Sequence, residues 1–283
     1  MEQASIELRH RLHRLWGSVA AGWEAHAAYA DLRGAPVTSR LLELAGPRPR
    51  DRVLELAAGA GGVGLAASDL VGPAGEVIIS DVATEMTAIA ARRAEALGRR
   101  NVVTRDLDLE AIDEPDDSFD VVLCREGIML VPDPDRAARE IHRVLRPGGR
   151  AALAVWGPRS HNPWLGIVFD AVADQTGEPV PPPGIPGPFS LDDAERFARV
   201  LTDAGLTAVE VGEVDVPYTA SSAGEWWTRT VALAGPLAQR LASLPGPAAA
   251  DLRDRAESAV AVYDTGAGLT IPGVSLVAGA TKS

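Results

Sequence analysis

Residues 52–71 constrain this chain more than any other stretch. Arg52 to Ala57 is a short apolar run, Ala58-Gly59-Ala60-Gly61-Gly62 is a bend without bulky side chains, and Val63 to Leu70 has the composition of a helix. Strand, tight bend and helix in that order bring the unpaired N–H groups of a helix start to the end of a strand. Glycines at such a bend let a ligand approach the backbone closely. Gly59, Gly61 and Gly64 spell G-x-G-x-x-G, and Asp81 ends the next strand, Glu76 to Asp81, near where a ribose-binding acid is expected. A tight turn without a ligand is the bland alternative, and the combination of strand, bend, helix and acid weighs against it.

The same alternation continues. Thr84 to Leu97 reads as a helix, and Val102 to Arg105 and Phe119 to Cys124 as strands. Asp133-Pro134 opens a helix that carries Ala138, Ile141 and Leu145 on one face and stops at Pro147-Gly148-Gly149. Arg150 to Trp156 then follows as a strand apolar enough to be buried on both faces. Such alternation predicts a parallel sheet covered by helices. Three segments are expected. Residues 1–46 form a helical cap, helical from Ile6 to Leu44 with a break near Arg33 to Pro36, and residues 47–157 form the ligand-binding core. Residues 158–283 form a second half in which strands Leu206 to Val216 and Leu269 to Ala280 flank a helical lid at about 221–264. Pro179 to Pro188 is a loop within that half.

Composition excludes several classes of partner. A formal net charge of −12 with scattered arginines offers no basic patch, so neither nucleic acid nor an anionic membrane surface is expected. One cysteine, Cys124, rules out an internal disulfide framework and a cysteine-based zinc site, and no metal cluster is visible. No apolar run reaches the ~18 residues of a membrane span, and the charged start lacks a signal-peptide core, so a cytoplasmic protein is expected. A homodimer is left open.

Glu55 lies four positions before Gly59. A carboxylate there repels a pyrophosphate and attracts an ammonium, directly or through water. With that acid, the stretch from Val53 to Gly61 resembles motif I of class I methyltransferases, E/D-x-G-x-G-x-G, with Ala57 in place of the first glycine. The resemblance runs through further blocks to Trp156 and is closest to the ubiquinone/menaquinone-biosynthesis methyltransferases. It implies a Rossmann-like α/β fold with a seven-stranded sheet of order 3-2-1-4-5-7-6, the last strand antiparallel, beneath a helical cap. It also implies S-adenosylmethionine as cofactor, held at Glu55, Ala57, Gly59 and Gly61. Asp81 would accept the ribose hydroxyls, and Val82 and Met86 would wall the adenine. Asp108 would accept the adenine amino group, with the Leu109 N–H donating to the ring and Asp106 as the rival acid. Cys124 and Arg125, followed by Glu126 and Gly127, would end the fourth strand beside the methyl donor. The plain alternatives are a helix cap for Asp81 and, after the fourth strand, a buried structural cysteine with solvated Arg and Glu.

A sulfonium is already a strong methyl donor, so a protein of this kind chiefly holds the reactants in line and excludes water. A general base helps an oxygen or carbon nucleophile, and His26 and His161 are the candidates, each weighed against an ordinary structural or solvated histidine. Trp23, Tyr29, Trp164 and Trp226 are the candidate acceptor-pocket residues, against a default reading as core. The expected activity is methylation of carbon or oxygen on a small natural-product or quinone-like acceptor. A nicotinamide-dependent oxidoreductase, and a protein of this fold that binds S-adenosylmethionine without methylating, are the alternatives.

Overall fold

A computed structural model describes residues 2–183 and 185–283. Three helices come first, α1 (Glu2–Ser18), α2 (Ala20–Ala25) and α3 (Ala27–Ala45). The core then runs β1 (Arg52–Glu55), α4 (Gly62–Val71), β2 (Glu76–Asp81), α5 (Thr84–Ala96), β3 (Val102–Asp106), β4 (Phe119–Arg125), α6 (Pro134–Val144) and β5 (Leu145–Trp156). The second half contributes α7 (Pro163–Thr176), α8 (Ala194–Asp203), β6 (Thr207–Asp215), β7 (Tyr218–Ala220), α9 (Ala223–Leu233), α10 (Gly235–Ala242), α11 (Gly246–Val260), β8 (Leu269–Ile271) and β9 (Val274–Thr281).

Seven strands form one sheet in the order β3-β2-β1-β4-β5-β9-β6, with β9 antiparallel to both its neighbours. With the small β7-β8 pair set aside, this is the expected order. Strand alternation builds two cores: Leu54, Ile78 and Val122 face one layer of helices, while Val53, Val77 and Val121 face the other. Since β1 and β4 are neighbours whose chains continue to opposite sides, a crevice opens beyond their carboxyl ends.

Local chemistry sets the helix starts. Asp133 accepts the Arg136 N–H at 2.8 Å with Pro134 in the first turn of α6, and Asp193 caps α8 in the same way at 2.8 Å. Three expectations need correction. The helix opened by Asp133-Pro134 ends at Val144, and Leu145 with Pro147-Gly148-Gly149 already belongs to β5. The break near Arg33 to Pro36 is absent, since α3 runs through Pro36, and the interruptions fall instead at Val19 and His26. Pro36 is exposed, so water can satisfy the carbonyl it releases. The strand expected over 269–280 is two strands, separated at Pro272-Gly273, and the first of them pairs with β7 outside the main sheet. Pro272 has no N–H for a ladder, and a Cβ on Gly273 would stand 2.3 Å from the Val216 carbonyl.

The cap and the insertion meet above the crevice. At Gly22 of α2 a Cβ would stand 2.3 Å from the Ala232 carbonyl of α9, and Gly235 of α10 faces the Trp16 ring of α1. Among the described residues no helix is long and apolar enough to cross a membrane.

Candidate active site beneath the helical cap

The crevice is a single continuous cavity. One end is lined by Glu55, Ala57, Ala58, Gly59, Asp81, Val82, Met86, Asp108, Leu109 and Arg125, and the other by Tyr29, Arg33, Glu126, Trp156, Trp164 and Tyr218.

At the first end the acids are tied to the backbone that shapes the bend. Glu55, only 1% exposed, accepts the N–H groups of Val63 at 3.2 Å and Gly64 at 2.7 Å, and so caps α4 from the end of β1. Asp81 accepts the N–H of Gly59 at 2.8 Å and of Ala83 at 3.0 Å. It therefore joins the glycine bend to the start of α5, and the helix-cap role and the cavity position belong to one residue. Ala57, standing where the family motif has glycine, takes φ 49°, in the left-handed region that costs an L-residue ~1–2 kcal/mol. Its side chain fits because the facing residue is Gly127, where a Cβ would stand 2.4 Å from that of Ala57.

Burial pushes the Glu55 carboxyl up to about 7 from 4.5, with the Gly64 N–H, the Arg125 guanidinium and the Val63 N–H pulling the other way. Burial likewise raises Asp81. The folded chain thus keeps on Glu55 a proton that the unfolded chain releases at about 4.5. Its contribution to stability is full below that pH and is lost as the pH rises through about 7, a change on the order of 3 kcal/mol. Glu55→Gln is expected to remove that share. Urea titrations at pH 5 and pH 8 should show a smaller loss of stability in the variant than in the native chain; an equal loss would contradict the assignment.

The structure separates the remaining cofactor candidates. Asp106 is occupied by the Thr84 and Thr87 hydroxyls, both at 2.6 Å, and does not line the cavity, whereas Asp108 does. His13 of α1 stands 3.9 Å from Asp108 at the cavity wall, not on an outer surface. Gly61 and Cys124 are not wall residues. Gly61, at φ 80°, lets the chain turn against Ile79 and Ala90, and Cys124 is fully buried with its thiol pushed up to about 12 by that burial. Arg125 reaches back to α3, where it donates to the Thr38 hydroxyl at 2.8 Å and lies against Gly34, whose Cβ would stand 2.5 Å from it.

Aromatic candidates divide too. Trp23 belongs with the first end, since its ring lies over Gly59 and it packs with Met86, Ala60 and Ala83; its indole N–H is buried with no partner among the described residues. Tyr29 and Trp164 line the far end, with Tyr218 between them at ring-centroid distances of 5.4 and 5.5 Å. Trp226 is wholly buried behind that wall, donating to the Trp164 carbonyl at 3.0 Å, and does not reach the cavity. Neither candidate base lines it. His161 is exposed in the turn before α7, and His26 lies between α2 and α3 with its pKa lowered by burial and by Arg229.

Sequence reasoning passed over Arg33 and Asn162 and named Glu126 only as part of the segment after the fourth strand. Arg33 follows Tyr29 by four residues on one face of α3, a spacing that was readable. Glu126 directly follows the last residue of β4, one position beyond where Glu55 and Asp81 stand on their strands, and it is half-buried in left-handed backbone, φ 59°. Asn162 carried no signal beyond its place before Pro163. Its amide donates to the Gly157 and Val274 carbonyls at 3.1 and 3.0 Å and accepts from the Val274 N–H and the Trp164 indole, both at 3.1 Å. Asn162→Leu would strand these groups at zero exposure and is expected to cost about 3 kcal/mol or more, read as a lower urea midpoint. A change below ~1 kcal/mol would contradict this reading.

The donor set tests what the first end can hold. A pyrophosphate would need the N-terminus of α4, but Glu55 already takes its N–H groups and Asp31 crowds Gly62, leaving two carboxylates where a dinucleotide carries negative charge. A zwitterionic amino acid joined to a nucleoside fits. Arg125 suits its carboxylate and Glu55 its ammonium, while Asp81 suits a sugar diol and Val82 and Met86 suit a purine.

Switch-point crevice, strand-end acids and glycine bend define a nucleoside-binding protein of the doubly wound α/β class. A methyltransferase-domain family model matches residues 53–149. The chain is 36% identical over 130 residues to the ubiquinone/menaquinone biosynthesis C-methyltransferase UbiE of Ectopseudomonas mendocina (strain ymp), a match covering 46% of this chain and 50% of that protein. It is 34% identical over 180 residues to the UbiE protein of Shewanella sp. (strain ANA-3), covering 60% of this chain and 71% of that one. The matched segment thus spans about half the length of the first of these relatives. The chain belongs to the class I S-adenosylmethionine-dependent methyltransferases, close to the UbiE type. In fold it resembles the YcgJ protein from Bacillus subtilis, with TM-score 0.59 and 23% identity over 87% of this chain and 97% of that one. It also resembles the [4+2]-cyclase SpnF, with TM-score 0.54 and 22% identity over 87% and 79%.

Proposed function

We propose that this protein methylates a carbon or oxygen atom of a small aromatic, quinone-like acceptor. One observation carries the reading: the crevice is continuous from the strand-end acids Glu55 and Asp81 to a wall of Trp156, Trp164 and Tyr218, beneath helices that roof both ends. S-adenosylmethionine, when bound, supplies an electrophilic methyl group. The chain's own part is binding and alignment. Glu55, Asp81, Asp108 and Arg125 hold the cofactor end, Met86 and Trp23 enclose it, and the contiguous rings of Tyr29, Tyr218 and Trp164 form a wall against which a flat acceptor packs. Exclusion of water by α2 and α9 protects the donor from hydrolysis. Supporting the quinone-like class are the UbiE relatives, whose names record C-methylation in ubiquinone and menaquinone biosynthesis.

Incubation with methyl-labelled S-adenosylmethionine and a panel of hydroquinones, naphthols and phenols tests this. Label is expected to move to at least one acceptor, and the position of the new methyl separates carbon from oxygen transfer. Saturable cofactor binding without transfer to any member would remove the proposed activity while leaving the binding site intact.

A further inference from the structure

The acceptor end of the cavity contains charges that an apolar pocket does not need. Arg33 projects from α3 into a ring of aromatics, its guanidinium carbon 4.0 Å from the Trp164 centroid, 4.7 Å from Tyr218 and 4.9 Å from Trp156. It donates a long hydrogen bond, 3.4 Å, to the Val216 carbonyl, and its Nε is buried with no partner among the described residues. A cation stripped of water and lined by π faces retains an unmet demand for an acceptor. Glu126 lines the same cavity within electrostatic reach of Arg33, and its Oε1 accepts the Ser275 hydroxyl at 2.9 Å while its other oxygen accepts from no described residue. The backbone of Glu126 is in the left-handed region, a conformation that persists in a non-glycine residue only where its surroundings enforce it. Ser275 on β9 fixes the side chain; burial raises the Glu126 carboxyl above its ordinary value and so strengthens it as a proton acceptor, while Arg125 beside it, Arg33 from α3 and the Ser275 hydroxyl pull toward the charged form.

Resting on the methyltransferase reading, we infer that the acceptor carries an acidic hydroxyl, a phenol or enol, whose oxygen docks on Arg33 and whose proton passes to Glu126. The acceptor O–H bond breaks, the proton goes to the free carboxylate oxygen of Glu126, and the electron pair stays on the acceptor oxygen opposite the guanidinium. No net charge enters or leaves the cavity, so the step suits a closed site. The oxyanion so formed is the nucleophile for O-methylation, or through its conjugated ring carbon for C-methylation. Neither histidine is required.

4-Nitrophenol reports the step without turnover, because its ionised form has a distinct visible absorption. The experiment adds it to the 283-residue chain saturated with S-adenosylhomocysteine, about one pH unit below the probe's own pKa. Proton release is measured by calorimetry in two buffers of different ionisation enthalpy. In the native protein the bound probe is expected to be ionised with no net proton released. Arg33→Met should return the bound probe to its neutral form. Glu126→Gln should leave it ionised on Arg33 but release close to one proton to the buffer. A neutral probe in the native protein, an unchanged spectrum in Arg33→Met or equal proton release with and without Glu126 would overturn the inference. So would binding of 4-nitroanisole as tight as that of 4-nitrophenol, or no probe binding at all. If S-adenosylhomocysteine itself fails to bind, the methyltransferase reading fails; if it binds and the probe stays neutral, only this inference does.

Discussion

Replacing Asp81 with alanine is expected to weaken binding of S-adenosylhomocysteine by about a hundredfold or more, on the order of 3 kcal/mol. Two losses combine. The sugar hydroxyls lose their charged acceptor, and the N–H groups of Gly59 and Ala83, now held at 2.8 and 3.0 Å, lose theirs. Because the first of these N–H groups belongs to the glycine bend, the bend itself is freed to move. Asp81→Asn retains an oxygen acceptor at the same place and should fall between the two. Isothermal titration of the three proteins measures the series, and an alanine variant within about threefold of the native affinity would show that the acid does not face the ligand.

Gly64→Ala is expected to have the largest effect on folding. An added Cβ would stand 2.5 Å from Glu55 Oε2 and 2.6 Å from Ile79 Cγ1, and neither group has room to retreat, since Ile79 is fully buried in β2 and Glu55 is held by the N–H groups of Val63 and Gly64. Overpacking of this kind costs ~1–3 kcal/mol, and displacing the Glu55 carboxylate from the start of α4 adds ~1–3 kcal/mol for buried N–H groups left without an acceptor. A urea-unfolding midpoint well below that of the native chain, together with loss of cofactor binding, is the expected outcome. Gly212, where an added Cβ meets nothing within 4 Å, supplies the control, and its alanine variant should stay within ~0.5 kcal/mol. Equal behaviour of the two variants would contradict the packing described for the bend.

The sheet and the meeting of strand-end acids with the glycine bend were legible in the sequence because both rest on local rules. Strands buried on both faces show as unbroken apolar runs, and the acids at positions 55 and 81 sit at strand ends where period and turn chemistry place them. The aromatic end of the cavity was not legible to the same degree, because it is assembled from segments far apart in the chain. Trp23 and Trp226 looked alike as aromatic cap residues, but one lies on the glycine bend and the other is buried behind Trp164, a difference set by how α2 and α9 pack. Arg33 and Glu126 face one cavity across 93 positions of sequence, and Glu126 meets Ser275 across 149, so no spacing rule connects them. The helix through Pro36 was missed for another reason. Proline is unfavourable inside a helix on its own account, and only its exposed position and the contact of Gly34 with Arg125 show why α3 continues.

A crystal structure of the full chain with S-adenosylhomocysteine tests the central claim most directly. It should show the ribose hydroxyls on Asp81, the amino acid end between Glu55 and Arg125, and the purine against Met86, with the sulfur facing the aromatic half of the cavity. A ligand whose sugar lies away from Asp81, or whose amino acid end leaves Glu55 for another wall, would contradict it.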